Sequence, residues 1–83
     1  MWDVFLTREA EKTLDKLPAT MRERTDDALR KMKSDPYLGK PLKGQLLGKY
    51  SYRLGDYRIV YSPLRGQQRL LIHYVRHRRE AYR

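Results

Sequence analysis

The chain has 83 residues, no cysteine, and 19 Lys or Arg side chains against 10 Asp or Glu, which gives a net charge of +9. This length predicts one domain, residues 1–83, with a single thin core. The absence of cysteine excludes disulfides and thiolate zinc sites. No apolar run approaches the roughly 20 residues that cross a bilayer, and the acidic start at Asp3 is unlike a signal peptide. We therefore expect a soluble, cytoplasmic protein with no membrane partner.

The first part of the chain predicts a strand followed by a helix. Residues 2–6 alternate and are rich in strand-forming side chains, which indicates a short strand. Thr7 can then cap a helix in which Ala10, Leu14 and Leu17 recur at the spacing of one buried face. Pro18 ends this helix or begins the next one.

A second helix is predicted to run as far as Ser34-Asp35-Pro36, which stops it. Charges of both signs are spread along both helices, which is typical of a solvated face. The predicted buried stripe of the second helix consists of Met21, Thr25, Ala28, Leu29 and Met32.

The second half of the chain has the patterns of loops and strands. Residues 36–49 contain two prolines and three glycines and predict a loop. Two alternating runs, residues 50–54 and 57–61, flank the turn Gly55-Asp56 and predict a β-hairpin, and a third strand is expected over residues 69–75. The predicted fold is α+β, with the N-terminal strand and a two-helix hairpin packed on a small antiparallel sheet of about four strands.

The charge is divided unevenly between the two halves. Residues 1–35 hold eight basic and eight acidic side chains, whereas residues 36–83 hold eleven basic and two acidic ones. All seven tyrosines also lie after residue 35. Cations interleaved with aromatic rings suit a polyanion with stackable bases. The alternative is a solvated basic surface on tyrosine-rich strands.

The predicted hairpin places two arginines side by side. With Gly55-Asp56 as the turn, Arg53 pairs with Arg58, and Tyr52 pairs with Ile59 on the other face. Like charges directly opposite each other are destabilising, and an anion held between two guanidinium forks removes that penalty. The alternative is that both side chains splay into solvent, and a register shifted by one residue would separate them.

The C-terminal stretch Arg76–Arg83 combines cations with groups that can move a proton. His77 has an imidazole suited to proton transfer near neutral pH, and Tyr82 can stack on a base or donate a proton. RNA is cleaved without metal when its 2′-hydroxyl loses a proton and attacks the adjacent phosphorus, with cations over the developing charge. The alternative for this segment is a non-specific electrostatic arm.

Three short motifs occur in a fixed order: PLKG at residues 41–44, YRLGDYRIVY at 52–61 and VRHRREAYR at 75–83. Together they resemble the RelE/ParE toxin superfamily, and most of all its short RelE branch. The order of strand, two helices and connection agrees along essentially the whole chain. The resemblance implies a RelE/ParE-like fold of the microbial RNase-like kind.

The resemblance to the RelE branch also implies a function. It implies a toxin of a type II toxin–antitoxin system that cleaves mRNA in the ribosomal A site by 2′-hydroxyl attack and inhibits translation. No metal or other cofactor is implied. The expected partners are mRNA, the ribosome and a cognate antitoxin, which we expect to be acidic and to join the toxin in a hetero-oligomer.

The resemblance assigns roles by position. Arg53 matches a basic residue that transfers a proton or neutralises charge, and Arg58 matches the arginine that contacts the scissile phosphate. Arg78 matches the arginine that stabilises the transition state, and Tyr82 matches the tyrosine that stacks on the substrate base. His77 completes this predicted catalytic set as the candidate general base. The predicted RNA-binding set adds Lys43, Lys49, Ser51, Arg76, Arg79 and Arg83.

Some positions depart from the family pattern. Ser51 and Arg53 stand where well-known members carry lysines, and Arg76 replaces a glycine. Because arginine is too basic to accept a proton readily, either His77 takes that role or the activity is weak. His73 is expected to be structural or exposed.

Two other functions remain as alternatives. The ParE branch shares the fold but poisons DNA gyrase as a binding protein and is not an enzyme. The ending Arg-Arg-Glu-Ala-Tyr favours the nuclease, because a gyrase inhibitor has no need for the terminal tyrosine. A basic nucleic-acid-binding domain without catalysis is the third possibility, and it would bind in a salt-dependent way without cleavage.

Overall fold

The computed structural model describes residues 1–79 of the chain. Short 3₁₀ segments cover Gly44–Leu46 and Arg65–Gln67. No helix within the described residues is long and apolar enough to cross a membrane. The principal elements, in chain order, are β1 (Asp3–Leu6), α1 (Arg8–Lys16), α2 (Ala19–Ser34), β2 (Lys40–Pro41), β3 (Tyr50–Leu54), β4 (Tyr57–Leu64) and β5 (Arg69–His77).

The strands form one sheet in the order β1-β5-β4-β3-β2. β1 runs parallel to β5, and the other neighbours are antiparallel. The described residues therefore form a five-stranded mixed sheet, where about four antiparallel strands were predicted. The extra strand is Lys40–Pro41, which pairs with Ser51 and Tyr50 inside the stretch predicted to be a loop. The predicted strand and helix boundaries elsewhere agree to within two residues, the usual uncertainty at element ends, except that β4 continues to Leu64, three residues beyond its predicted end.

Both helices contribute to a core on one face of the sheet. Ala10 and Leu14 of α1 and Ala28 and Met32 of α2 are buried there. This confirms the two predicted apolar stripes, of which Met21, Leu29 and Leu17 form the half-buried margin. The sheet contributes Leu54, Ile59, Tyr61, Leu70, Ile72 and Val75 to the same core. Packing on this side fixes which strand residues face away from the helices.

Thr7 connects α1 to the sheet. Its hydroxyl oxygen accepts a hydrogen bond from the Ala10 N–H at 3.2 Å, as the sequence predicted for a helix cap. The hydroxyl also donates to the main-chain carbonyl of His73 in β5. One side chain therefore satisfies an N–H at the start of the helix and holds the adjacent strand.

Thr7→Ala is expected to lower the free energy of unfolding by about 1–2 kcal/mol, because a helix cap and a cross-element hydrogen bond are both lost. Urea denaturation followed by circular dichroism measures this change. Thr20→Ala provides the control, since Thr20 is exposed in the first turn of α2 and its loss should change stability by less than about 0.5 kcal/mol. Equal stability of the two variants would contradict the role given to Thr7.

Candidate anion-binding site

The β3–β4 hairpin has the predicted register. Leu54 pairs with Tyr57 across the turn, and Arg53 pairs with Arg58. Gly55 adopts a positive φ of 60°, a conformation that two-residue hairpin turns require and that glycine adopts without strain. Tyr52 and Ile59 pair on the helix face, where Ile59 is fully buried and Tyr52 packs against the core. The two arginines therefore lie side by side on the face away from the helices.

We call the face of the sheet that points away from the helices the open face. Side chains alternate between the faces of a strand, and Ile59 and Val75 pair within the core. Their neighbours Arg58 and Arg76, which pair with each other, must therefore lie on the opposite side. The open face includes Lys40, Lys49, Ser51, Arg53, Arg58, Val60, Ser62, His73, Tyr74 and Arg76, and at its far end Leu64, Arg69 and Leu71.

The two arginines open onto a small cavity. Its volume is about 290 Å³, and it is lined by Lys40, Ser51, Arg53 and Arg58. Three of these four residues are cationic and none is acidic. Arg58 is half-buried, and its guanidinium also donates to the Tyr57 carbonyl at 3.3 Å, whereas Arg53 is exposed. Such a cluster suits an anion, because guanidinium forks match the oxygen geometry of phosphate and an ammonium adds a point charge.

Lys40 is the residue of this cavity that was not predicted from the sequence. It lies on β2, directly opposite Ser51, where well-known family members carry a lysine. Lys40 therefore provides an amine beside that position from the neighbouring strand. Gly39 makes this approach possible, because a Cβ there would lie 2.8 Å from the Ser51 carbonyl oxygen. The Gly39 N–H also donates to the Tyr61 hydroxyl at 2.8 Å. These contacts hold β2, and with it Lys40, against the hairpin.

Arg76 extends the row of arginines onto β5. It pairs with Arg58, and its guanidinium lies 3.8 Å from the centre of the Tyr74 ring. It also donates to both carboxylate oxygens of Glu9 on α1, at 2.7 and 2.8 Å. The hydrogen bond from Arg76 is the main cause that lowers the pKa of Glu9. Arg76 is thus held in place beside Arg58 and is partly neutralised by a carboxylate.

His77 is not brought together with the arginines. It pairs with Tyr57, and by alternation from Val75 both residues lie on the helix face. The two rings meet edge to face with their centres 5.8 Å apart. Its Nδ1 also accepts a hydrogen bond from the Arg79 N–H at 3.4 Å. The predicted general base is therefore on the opposite side of the sheet from the cavity.

The other residues predicted for the site lie at the hairpin turn, on the exposed surface, or outside the described residues. The Arg78 N–H donates to the Asp56 carbonyl at 2.7 Å, so Arg78 lies beside the hairpin turn. Arg79 and Lys43 are exposed. Tyr82 and Arg83 lie outside the described residues. Within residues 1–79 no group of histidine and acidic side chains is arranged to hold a metal ion.

A larger surface depression lies along α2 but has a different character. Its volume is about 510 Å³, and its lining includes Asp27, Arg30, Lys31 and Asp35. Arg30 is paired with Asp27 there. Because its charges are mixed and partly neutralise each other, this depression lacks the excess of cations that marks the open-face cavity.

Comparison with known proteins shows the family to which this chain belongs. A family model described as the ParE toxin of the type II toxin–antitoxin system matches residues 4–82. The Mycobacterium tuberculosis protein named Toxin RelE is 33% identical over 84 residues, covering 99% of this chain and 87% of the relative. The chain belongs to the RelE/ParE superfamily of type II toxins.

Solved structures show the same RelE/ParE fold. The toxin–antitoxin complex RelBE2 from M. tuberculosis contains a chain that is 31% identical, with a TM-score of 0.83 over 92% of this chain and 96% of that one. The YoeB/ParE toxin from Agrobacterium tumefaciens is 28% identical, with a TM-score of 0.82 and coverage of 90% and 96%. The intact Escherichia coli RelBE complex, at 24% identity and a TM-score of 0.81 over 90% and 94%, supports the fold alone.

Both branch names occur among these RelE/ParE relatives. The family model carries the name ParE, and the M. tuberculosis relative carries the name RelE. Superfamily membership therefore does not separate a nuclease from a gyrase inhibitor. That distinction depends on the chemistry of the open face.

Proposed function

We propose that this RelE/ParE toxin is a ribosome-dependent mRNA endonuclease that acts in the cytoplasm and binds the scissile phosphate in the open-face cavity. The observation that supports this most is the cluster of Lys40, Arg53 and Arg58 around one cavity without an acidic lining residue. A site of this size and charge suits a phosphate group. A surface evolved only for solubility would not require three cations to converge.

The reaction we propose is attack of a ribose 2′-oxygen on the adjacent phosphorus. The new bond forms as the P–O5′ bond breaks, which leaves a 2′,3′-cyclic phosphate and a 5′-hydroxyl end. Arg58 binds the phosphate oxygens, Arg53 neutralises the charge that develops on them, and Arg78 adds a further cation from beside the hairpin turn. These groups act mainly by stabilising the transition state.

The proton transfers require other groups. The 2′-hydroxyl must lose a proton and the leaving 5′-oxygen must gain one. Arginine stays charged, so Lys40 is our candidate, among the basic residues that line the cavity, to donate a proton to the leaving 5′-oxygen. The proton of the 2′-hydroxyl passes to water. Tyr82 remains the candidate from the family resemblance for base stacking or proton donation. His77 is left out of the catalytic set because it lies on the helix face.

We further propose an acidic antitoxin as the partner that holds the toxin inactive. The solved relative from M. tuberculosis is a toxin–antitoxin complex. The net charge of +9 favours an acidic partner. An antitoxin that supplies carboxylates to the open face would compete with RNA phosphate for the same arginines. Lys43, Lys49, Arg76 and Arg79 would extend the RNA-binding surface around the cavity, and Arg83 remains a candidate RNA contact from the sequence.

Translation in a cell-free system, followed by primer extension along the mRNA, tests the proposal. We expect discrete cuts at A-site codons when ribosomes are present and intact mRNA when they are absent. A parallel gyrase supercoiling assay addresses the ParE alternative. Inhibited supercoiling together with intact mRNA, at protein concentrations that arrest growth, would overturn the nuclease in favour of that alternative.

A further inference from the structure

The open face carries a second polar cluster, formed by Lys49, Ser62 and His73. Ser62 Oγ lies 2.7 Å from Nε2 of His73. Tyr50 pairs with Tyr61, so Lys49, one residue earlier, comes opposite Ser62, one residue later. Lys49 is also close enough to act electrostatically on the His73 ring. β4 and β5 thus contribute one side chain each to this end of the face, and Lys49 comes from the residue directly before β3.

A β-bulge brings His73 into the cluster. Val60 pairs with Tyr74 while Tyr61 pairs with Ile72, so His73 is the extra residue in β5. Bulges redirect side chains and are frequent near functional sites. The Thr7 hydroxyl donates to the His73 carbonyl and fixes the bulged main chain. The ring therefore lies on the same side as Ser62, whereas strict alternation counted back from the core residue Val75 would place it on the helix face.

The lowered pKa of His73 favours the neutral ring, which can take up a proton when an anion binds beside it. Burial is the main cause that lowers the pKa of His73, and the charge of Lys49 lowers it further. In the neutral ring with hydrogen on Nε2, that N–H donates to Ser62 Oγ, and the Ser62 O–H remains able to donate outward beside the Lys49 ammonium. A phosphate between these groups would accept hydrogen bonds and would favour the protonated ring.

We propose that Lys49, Ser62 and His73 form a second phosphate subsite on the open face, which holds the RNA backbone beyond the phosphate bound by Arg53 and Arg58. Lys49 directly precedes β3, and Arg53 lies four residues further along the chain, a separation of about 13 Å. A short single-stranded RNA can span both sites, whereas one phosphate cannot. The choice of RNA as ligand rests on the proposed function, and the subsite orients the RNA along the open face in the direction of β3 and β4.

The first test measures the pKa of both histidines by NMR, with and without a short single-stranded oligoribonucleotide. Its riboses are 2′-O-methylated, so it binds without being cleaved. We expect the pKa of His73 to rise on binding, because phosphate stabilises the protonated ring. His77 lies between Arg76 and Arg78 and contacts Arg79, which are themselves placed in the RNA-binding surface, so only the response of His73 decides the test. An unchanged His73 pKa at saturation, or no binding at all, would overturn the proposal.

The second test compares variants in binding the same oligonucleotide. Lys49→Ala and Ser62→Ala are each expected to weaken binding several-fold, and Lys49→Ala should reduce the slope of log affinity against log salt by about 1. Lys12→Ala, an exposed lysine on α1, is the control and should bind like the wild type. Wild-type affinity in Lys49→Ala would overturn the subsite.

The two proposals fail in different ways. Neither measurement requires cleavage, so a His73 response in a protein that leaves mRNA intact would retain the subsite and remove only the nuclease. Normal cleavage on ribosomes, combined with an unresponsive His73, would remove only the subsite.

Discussion

Arg58→Ala is expected to lower the single-turnover rate of mRNA cleavage on programmed ribosomes by about 10²–10³-fold, the usual effect of removing one group that stabilises a charged transition state. Arg58 is half-buried between Arg53 and Arg76 and lines the open-face cavity. A half-buried cation fixed by its neighbours stabilises charge more strongly than an exposed one, because water screens it less. Rapid-quench measurement of the cleaved fraction gives the rate.

Two further variants separate the contribution of Arg58 from that of charge in general. Arg58→Lys keeps the charge but loses the planar fork, so we expect an intermediate rate. Arg30→Ala removes an arginine that lies on α2 and is paired with Asp27, and it should cleave like the wild type. Equal losses in Arg30→Ala and Arg58→Ala would mean that net charge alone drives the activity, which contradicts a phosphate site between the arginines.

Tyr61→Ala is expected to lower the free energy of unfolding by about 3–5 kcal/mol, as does loss of other large buried aromatic side chains. Tyr61 is fully buried in the core, and its ring stacks against Tyr50 with centres 5.9 Å apart. Its hydroxyl accepts the hydrogen bond from the Gly39 N–H. The side chain therefore supports both the core and the segment that carries Lys40.

Tyr61→Phe isolates the hydroxyl. We expect it to cost about 1–2 kcal/mol, because the Gly39 N–H loses its partner while the ring remains. Tyr37→Phe is the matched control, since that hydroxyl is exposed and accepts a hydrogen bond from Arg65. Urea denaturation gives all three values. Similar stability for Tyr61→Phe and the wild type would show that the hydroxyl does not anchor β2.

Much of the fold follows from local patterns in the sequence. The apolar stripes of α1 and α2 have helical spacing, and the turn Gly55-Asp56 fixes the hairpin register by itself. The pairing of Arg53 with Arg58 therefore follows from the order of residues alone. The pairing of β2 does not, because two residues, one of them proline, show no alternation. Lys40 was missed for this reason.

The two histidines show where the strand pattern helps and where it fails. Alternation from the apolar Val75 places His77 on the helix face, away from the arginines. The role of general base stays a prediction for His77. Counted back from Val75, strict alternation would place His73 on the helix face as well, but the bulge interrupts this alternation. The contact of His73 with Ser62 therefore does not follow from that pattern.

The most direct test of the central claim uses ribosomes programmed with two mRNAs that differ at one ribose. One mRNA is unmodified, and the other lacks the 2′-hydroxyl beside the scissile phosphate. We expect the toxin to cut only the unmodified mRNA and to leave a 2′,3′-cyclic phosphate, and we expect Arg58→Ala to slow this cut. Equal cutting of both mRNAs would contradict 2′-hydroxyl attack, and no cutting of either at saturating toxin would contradict the nuclease itself.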